Sequence, residues 1–245
     1  FHNEPDTDFV LRAHREWLQA YIDRELSQSA PHLPLSIAGE TVLRDPVDGF
    51  DPSRPGVVPY RISLATADDV QRAIDCGVET QATWSAVPLA DRATLLRRVA
   101  CALRAERGAL IAGLMMDGGK AVIDADGEIS EAIDFATYYA DTAEAWAALV
   151  GLEMAPRGLT VITPPWNFPL AIPLGGVFAA LVMGNPVILK PARETAHIAT
   201  TVVALCHDAG IPPEALQLIV ATDEVATELI TNDAVQTVVL TGGTD

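Results

Sequence analysis

Residues 159–190, "LTVITPPWNFPLAIPLGGVFAALVMGNPVILK", decide the fold. "LTVITP" is a short β-branched run, as expected of a strand. "PLGGVFAALVMG" is apolar on every side, as expected of a buried helix. "PVILKP" is a continuous apolar run, the pattern of a strand covered on both faces. Strand, helix and strand in about 30 residues make a crossover unit with parallel strands. Gly158 to Leu189 holds no charged residue. Its uninterrupted helical piece, about Leu174–Met183, is only about 15 Å long at ~1.5 Å per residue. A bilayer core needs about 30 Å, so no membrane span is expected.

The pattern continues downstream. "AHIATTVVALCHDAG" predicts a helix closed by Gly210, "ALQLIVA" a strand, "DEVATELITND" a helix and "VQTVVLTGG" a strand. Strands alternating with single helices predict an α/β, doubly wound, Rossmann-type parallel sheet. Such sheets bind ligands at the carboxyl ends of their strands, here "TPPWN", "KPARE", "ATDE" and "TGGTD".

Upstream, the first 150 residues read as mainly helical. Residues 8–29 repeat apolar side chains at helical spacing. "LPLSIAGETV" looks like a short strand pair. "DPVDGFDPSRPGVVPYRISLA" is loop-rich and ends in a strand. Thr66 before "ADDV" predicts an N-cap with acids in the first turn, opening a helix to about Trp84. Two helices should break near Arg107 and Gly108, and "ADGEISEAIDFATYYADTAEAWAAL" predicts another. We divide the chain into a helical extension over 1–38 and an incomplete nucleotide-binding domain over 39–245.

Composition excludes other classes. Lys and Arg number 16 and Asp and Glu 33, a formal charge of −17. A nucleic-acid partner is therefore not expected. Cys76, Cys101 and Cys206 are scattered, with no metal-ligand spacing; a reduced, cytoplasmic compartment fits them. "GLMMDGGK", residues 113–120, resembles a phosphate loop, but its spacing is wrong and it follows a helix, so a glycine-capped helix end is expected. The chain opens without Met and stops on a turn, so a fragment at both ends is expected.

Three features converge on one sheet edge. Asn167 sits in a proline-stiffened turn and could aim a fixed amide donor at an oxyanion, or cap the turn itself. Lys190 ends a strand and could bond ribose or phosphate, or simply snorkel. Gly242 and Gly243 could admit a phosphate to backbone N–H groups, or form a plain turn.

"TPPWNFPL", "GNPVILKPA" and "VVLTGGTD", in this order and spacing, resemble the cofactor half of the aldehyde dehydrogenase superfamily. "GEISEAIDFATYYA" and "PPWNFPLAIP" are similar to its 1-pyrroline-5-carboxylate dehydrogenase branch, PutA-type proteins included. The resemblance implies NAD-dependent oxidation of a small-molecule aldehyde, foremost L-glutamate γ-semialdehyde, through a thiohemiacetal and a thioester. It implies that the nucleophilic Cys and the general-base Glu lie beyond residue 245, that Cys206 is a core residue, and that this stretch alone is inactive. Asn167 would be the oxyanion donor. Thr163, Pro164, Pro165 and Trp166 would line the cofactor cleft. Lys190, Ala192 and Arg193 would lie at the ribose, with Gly242 and Gly243 near the pyrophosphate. A proline dehydrogenase domain or protein and a second copy of the chain are the implied partners. Departures keep alternatives open. Arg193 replaces the usual Glu, which leaves NADP open as cofactor. "VATDEVATEL" lacks the usual glycine, and Gly243 and Asp245 replace the usual Ser and Glu. Oxidation of another aldehyde, or a non-catalytic nucleotide-binding role, are the competing readings.

Overall fold

The computed structural model describes residues 1–27 and 29–243. In chain order the elements are α1 (Arg12–Ser27), β1 (His32–Leu33), β2 (Leu35–Ile37), β3 (Glu40–Val42), β4 (Pro46–Asp48), β5 (Arg61–Ser63), α2 (Ala67–Ala86), α3 (Leu89–Ala105), α4 (Arg107–Gly118) and α5 (Val122–Ala147). There follow β6 (Thr160–Thr163), α6 (Ala171–Val182), β7 (Val187–Leu189), a 3₁₀ turn (Arg193–Thr195), α7 (Ala196–Asp208), β8 (Leu216–Leu218), α8 (Asp223–Ile230) and β9 (Thr237–Leu240).

The main sheet has the order β3-β2-β8-β7-β6-β9. From β8 to β9 it is parallel, and the chain order within it is third, second, first, fourth. That is half of a doubly wound sheet, and its winding reverses between β6 and β9. Side chains alternate between faces. Ile162 and Leu189 join a core with α3, α5, α6 and α7, while Val161 and Ile188 join a second core with α2 and α8. Helices on both faces explain why β6 and β7 carry no polar side of their own.

The expected strand pair upstream joins this sheet. The β2–β3 hairpin adds two antiparallel strands beside β8. Its turn places Ala38 and Gly39 at φ 52° and 76°, the left-handed pair that suits a tight hairpin. Buried Gln217 of β8 holds the turn: its carbonyl accepts from Ala38 N at 2.8 Å, and its amide donates to Ala73 O at 2.9 Å. A smaller sheet, β1-β5-β4, lies apart from this one.

The helical expectations fare well. Thr66 closes a capping box with Asp69 at the start of α2. The predicted break falls between α3 and α4, and Gly119 ends α4 at φ 64° as a glycine cap. The first helix starts later than its apolar pattern suggests, because Asp8 makes a turn that accepts from Val10 N and Leu11 N. Its predicted end at residue 29 is not reached: α1 stops at Ser27, and residue 28 lies outside the described residues. The preceding N-terminal segment is fastened by ion pairing and hydrogen bonding: Glu4 to Arg104 at 2.8 Å, and Thr7 N to buried Asp126 at 2.6 Å. Among the described residues no helix is long and apolar enough to cross a membrane.

Candidate active site and cofactor cleft

Three strand ends meet at the point where the winding reverses. Ile162 of β6 stands opposite Leu189 of β7 and Val239 of β9, and Thr163 stands opposite Leu240. One residue further on, Lys190 N donates to Ile162 O at 2.9 Å, and Thr241 N donates to Thr163 O at 3.3 Å. The ladder thus sets Thr163, Lys190 and the Thr241–Gly242 bend side by side along one edge.

The β6–α6 turn rises from this edge. Thr163 and Pro164 are buried and Pro165 half-buried, whereas Trp166, Asn167 and Phe168 are exposed. Four prolines between 164 and 173 restrict φ and remove N–H donors, so the turn has few alternative conformations. The Asn167 carboxamide makes no hydrogen bond to a described residue. The competing turn-cap reading needs such a bond, and the geometry does not supply it.

Lys190 is half-buried and forms no ion pair with a described residue. Beyond it Pro191 is buried and Ala192 half-buried, and Arg193 and Glu194 are exposed in the 3₁₀ turn. A Cβ built on Gly242 or Gly243 would meet nothing within 4 Å, so open space faces that backbone and local packing does not require glycine there. The departure at Asp245 lies outside the described residues. At the end of β8, Thr222 caps α8 and Asp223 and Glu224 fill its first turn. Two carboxylates there disfavour a phosphate at that helix end.

The cysteines stand elsewhere. Cys206 is buried in α7, where desolvation pushes its thiol up to about 12. Cys76 is half-buried in α2 and also raised by burial, and Cys101 is exposed on α3. His207 points from α7 to the Leu216 carbonyl at 2.8 Å and does not pair with Cys206.

Two supports of this edge were not visible in the sequence. The Glu128 carboxylate, on α5, accepts from Leu170 N at 2.8 Å and Ala171 N at 3.0 Å and so caps α6. Asp117, on α4, accepts from Ile198 N at 2.9 Å at the start of α7 and from the Tyr60 hydroxyl. Tyr60 also donates to Glu194 O at 3.2 Å, which pins the turn after Lys190. Burial is the main cause that lifts Asp117 to about 7; hydrogen bonds from Ile198, Tyr60 and His197 oppose it, and nearby Asp51 adds to it. The only signal for these supports was an acid near a helix end, and tertiary caps carry no fixed spacing.

Comparison with known proteins bears on this arrangement. The profile of the Aldehyde dehydrogenase family matches residues 41–245. The 1-pyrroline-5-carboxylate dehydrogenase of Geobacillus kaustophilus is 32% identical over all of this chain and 50% of its own length. The bifunctional protein PutA of Escherichia coli is 36% identical over 80% of this chain and 15% of its own. Among solved structures, a 1-pyrroline-5-carboxylate dehydrogenase from Thermus with bound NAD superimposes with a TM-score of 0.91 at 29% identity. It covers 97% of this chain and 49% of that one. The chain spans about half the length of the curated dehydrogenases it matches. The profile covers well over half of the chain, and the strand order with its proline-stiffened turn and Lys190 agrees with it: the chain belongs to the aldehyde dehydrogenase family.

Proposed function

We propose that the protein carrying this chain oxidises an aldehyde to a carboxylate with NAD, and that the aldehyde is L-glutamate γ-semialdehyde. The observation that carries the reading is the meeting of the Asn167 turn, Lys190 and the Gly242–Gly243 bend at one sheet edge. The names of the relatives support the choice of substrate. A proline dehydrogenase domain or protein would supply that aldehyde. We further propose a cytoplasmic, homo-oligomeric enzyme, whose first 38 residues form an extension to the nucleotide-binding domain.

The edge fits a dinucleotide. It offers a half-buried ammonium with no described ion-pair partner beside the buried Thr163, and an open glycine bend for phosphate. Lys190, Ala192 and Arg193 would hold the ribose side, and Thr163, Pro164, Pro165 and Trp166 would line the cleft. NAD, when bound, supplies the hydride acceptor. The chain's own contribution is charge placement. The Asn167 amide donates a hydrogen bond where a carbonyl oxygen becomes an alkoxide, and it is already oriented before charge develops.

The test is Asn167 in the intact polypeptide. Removing one oxyanion donor lowers kcat by ~10²–10³-fold. Asn167→Ala should do so with NAD affinity nearly unchanged, since the interaction exists only along the reaction path. Asn167→Asp should be at least as damaging, because a carboxylate repels the alkoxide. An Asp variant with near-normal turnover overturns the assignment.

A further inference from the structure

The turn that carries Asn167 is held from outside by a buried ion pair. Glu128 is fully buried on α5. One of its oxygens takes both the Leu170 and Ala171 N–H groups. The other lies 2.7 Å from Lys120 Nζ, whose side chain is only 11% exposed. The same ammonium sits 4.0 Å from the centre of the Phe168 ring. Phe168 directly follows Asn167, and Leu170 comes two residues later. The pair therefore grips the turn through an aromatic face on one side and two backbone donors on the other.

The local chain has no other means of doing this. Leu170, at the cap position of α6, has an apolar side chain and makes no side-chain cap. Pro169 and Pro173 have no N–H to offer. The free donors at the start of α6 need an acceptor, and α5 provides a carboxylate, the type that a helix amino end favours. Burying a charged pair is costly, and an apolar pair of the same shape would leave the Leu170 and Ala171 N–H groups without an acceptor. What this pair adds is a fixed direction for the residues flanking Asn167.

We propose that Lys120 and Glu128 are positioning residues for the oxyanion donor: they set the aim of the Asn167 amide through Phe168, Leu170 and Ala171. The inference rests on the oxyanion reading of Asn167. It concerns orientation, so its mark is on turnover and not on NAD binding.

The experiment uses the intact polypeptide, NAD and L-glutamate γ-semialdehyde, with kcat, the NAD dissociation constant and backbone hydrogen exchange read for each variant. Glu128→Ala removes the acceptor. Exchange over residues 166–172 should accelerate and kcat should fall by roughly 10²-fold, the cost of misplacing a group by ~1 Å, with NAD binding unchanged. Glu128→Gln keeps a carbonyl for both amides and should retain most of the turnover. Lys120→Met leaves the buried Glu128 carboxyl without its ion partner, and should lose turnover. The double variant Lys120→Met/Glu128→Gln makes the pair neutral while the Gln carbonyl still accepts from the Leu170 and Ala171 amides, and should recover much of that loss. A purely structural role moves thermal stability but gives no such recovery in kcat per folded molecule. If Asn167→Ala lowers kcat while Glu128→Ala leaves both kcat and local exchange unchanged, the positioning inference fails and the oxyanion reading stands. If Asn167→Ala itself leaves kcat unchanged, the oxyanion reading fails first and takes the inference with it.

Discussion

At Lys190 a single ammonium stands at the reversal point without a described carboxylate partner, half-buried beside Thr163. A half-buried ammonium with no described acidic partner is free to bond a ligand hydroxyl or phosphate. A hydrogen bond to a charged group contributes about 1.5–3 kcal/mol. Lys190→Ala should therefore raise the Michaelis constant for NAD by roughly ten- to a hundred-fold. An unchanged constant removes Lys190 from the site. Arg193 is the neighbouring case. It is exposed on the 3₁₀ turn, where the family usually places a carboxylate, and its guanidinium can meet a 2′-phosphate in two-point fashion. NAD should be preferred, and Arg193→Glu should depress NADP use more than NAD use. Equal effects on both cofactors would show that Arg193 does not reach the 2′ position.

The elements behind this edge explain which parts of the site were legible. The β6, β7 and β9 runs were readable because continuous apolar runs flanked by prolines and glycines have few other solutions. Their carboxyl ends followed at once, and with them Asn167, Lys190 and Gly242. The helices α6 and α7 were read close to their starts, but what caps them was not readable, because the caps come from α5 and α4, across 42 residues from Glu128 to Leu170 and 81 from Asp117 to Ile198. The hairpin at Ala38–Gly39 was seen as strands, but its docking on β8 depends on Gln217, a polar residue inside an apolar run. Asp117 also makes α7 sensitive to pH. Its pKa rises from 3.8 to about 7 on folding, so the folded state binds its proton more tightly than the unfolded one. The stability from this group is complete below about pH 4 and is lost as pH rises through about 7. Asp117→Asn has no proton to lose. The melting temperature of the wild type should fall relative to that of this variant as pH is raised from 4 to 8. Parallel melting curves across that range would show that Asp117 does not titrate as its burial requires.

On the scale of the whole molecule, the acid excess and the positions of the thiols set what this chain can do. With a formal charge of −17, most of the surface repels an anionic dinucleotide, so on the proposed reading attraction is local, at Lys190 and Arg193. Aldehyde oxidation through a thioester also needs a thiolate within reach of Asn167. None of the three cysteines offers one. Cys206 is enclosed in the core of α7 and held protonated by burial, Cys76 lies in α2 with its thiol also raised, and Cys101 faces solvent on α3. α2 packs behind the sheet on the face opposite α7, so no small rearrangement of either helix brings a thiol to the β6–α6 turn. The polypeptide Phe1–Asp245, incubated with NAD and L-glutamate γ-semialdehyde, should therefore form no NADH above background. A longer polypeptide that contains this chain together with a reactive cysteine should do so, and Cys206→Ser in it should leave turnover intact. Turnover by Phe1–Asp245 that Cys206→Ser abolishes would move the nucleophile into α7 and overturn the placement of the active site at the β6–β9 edge.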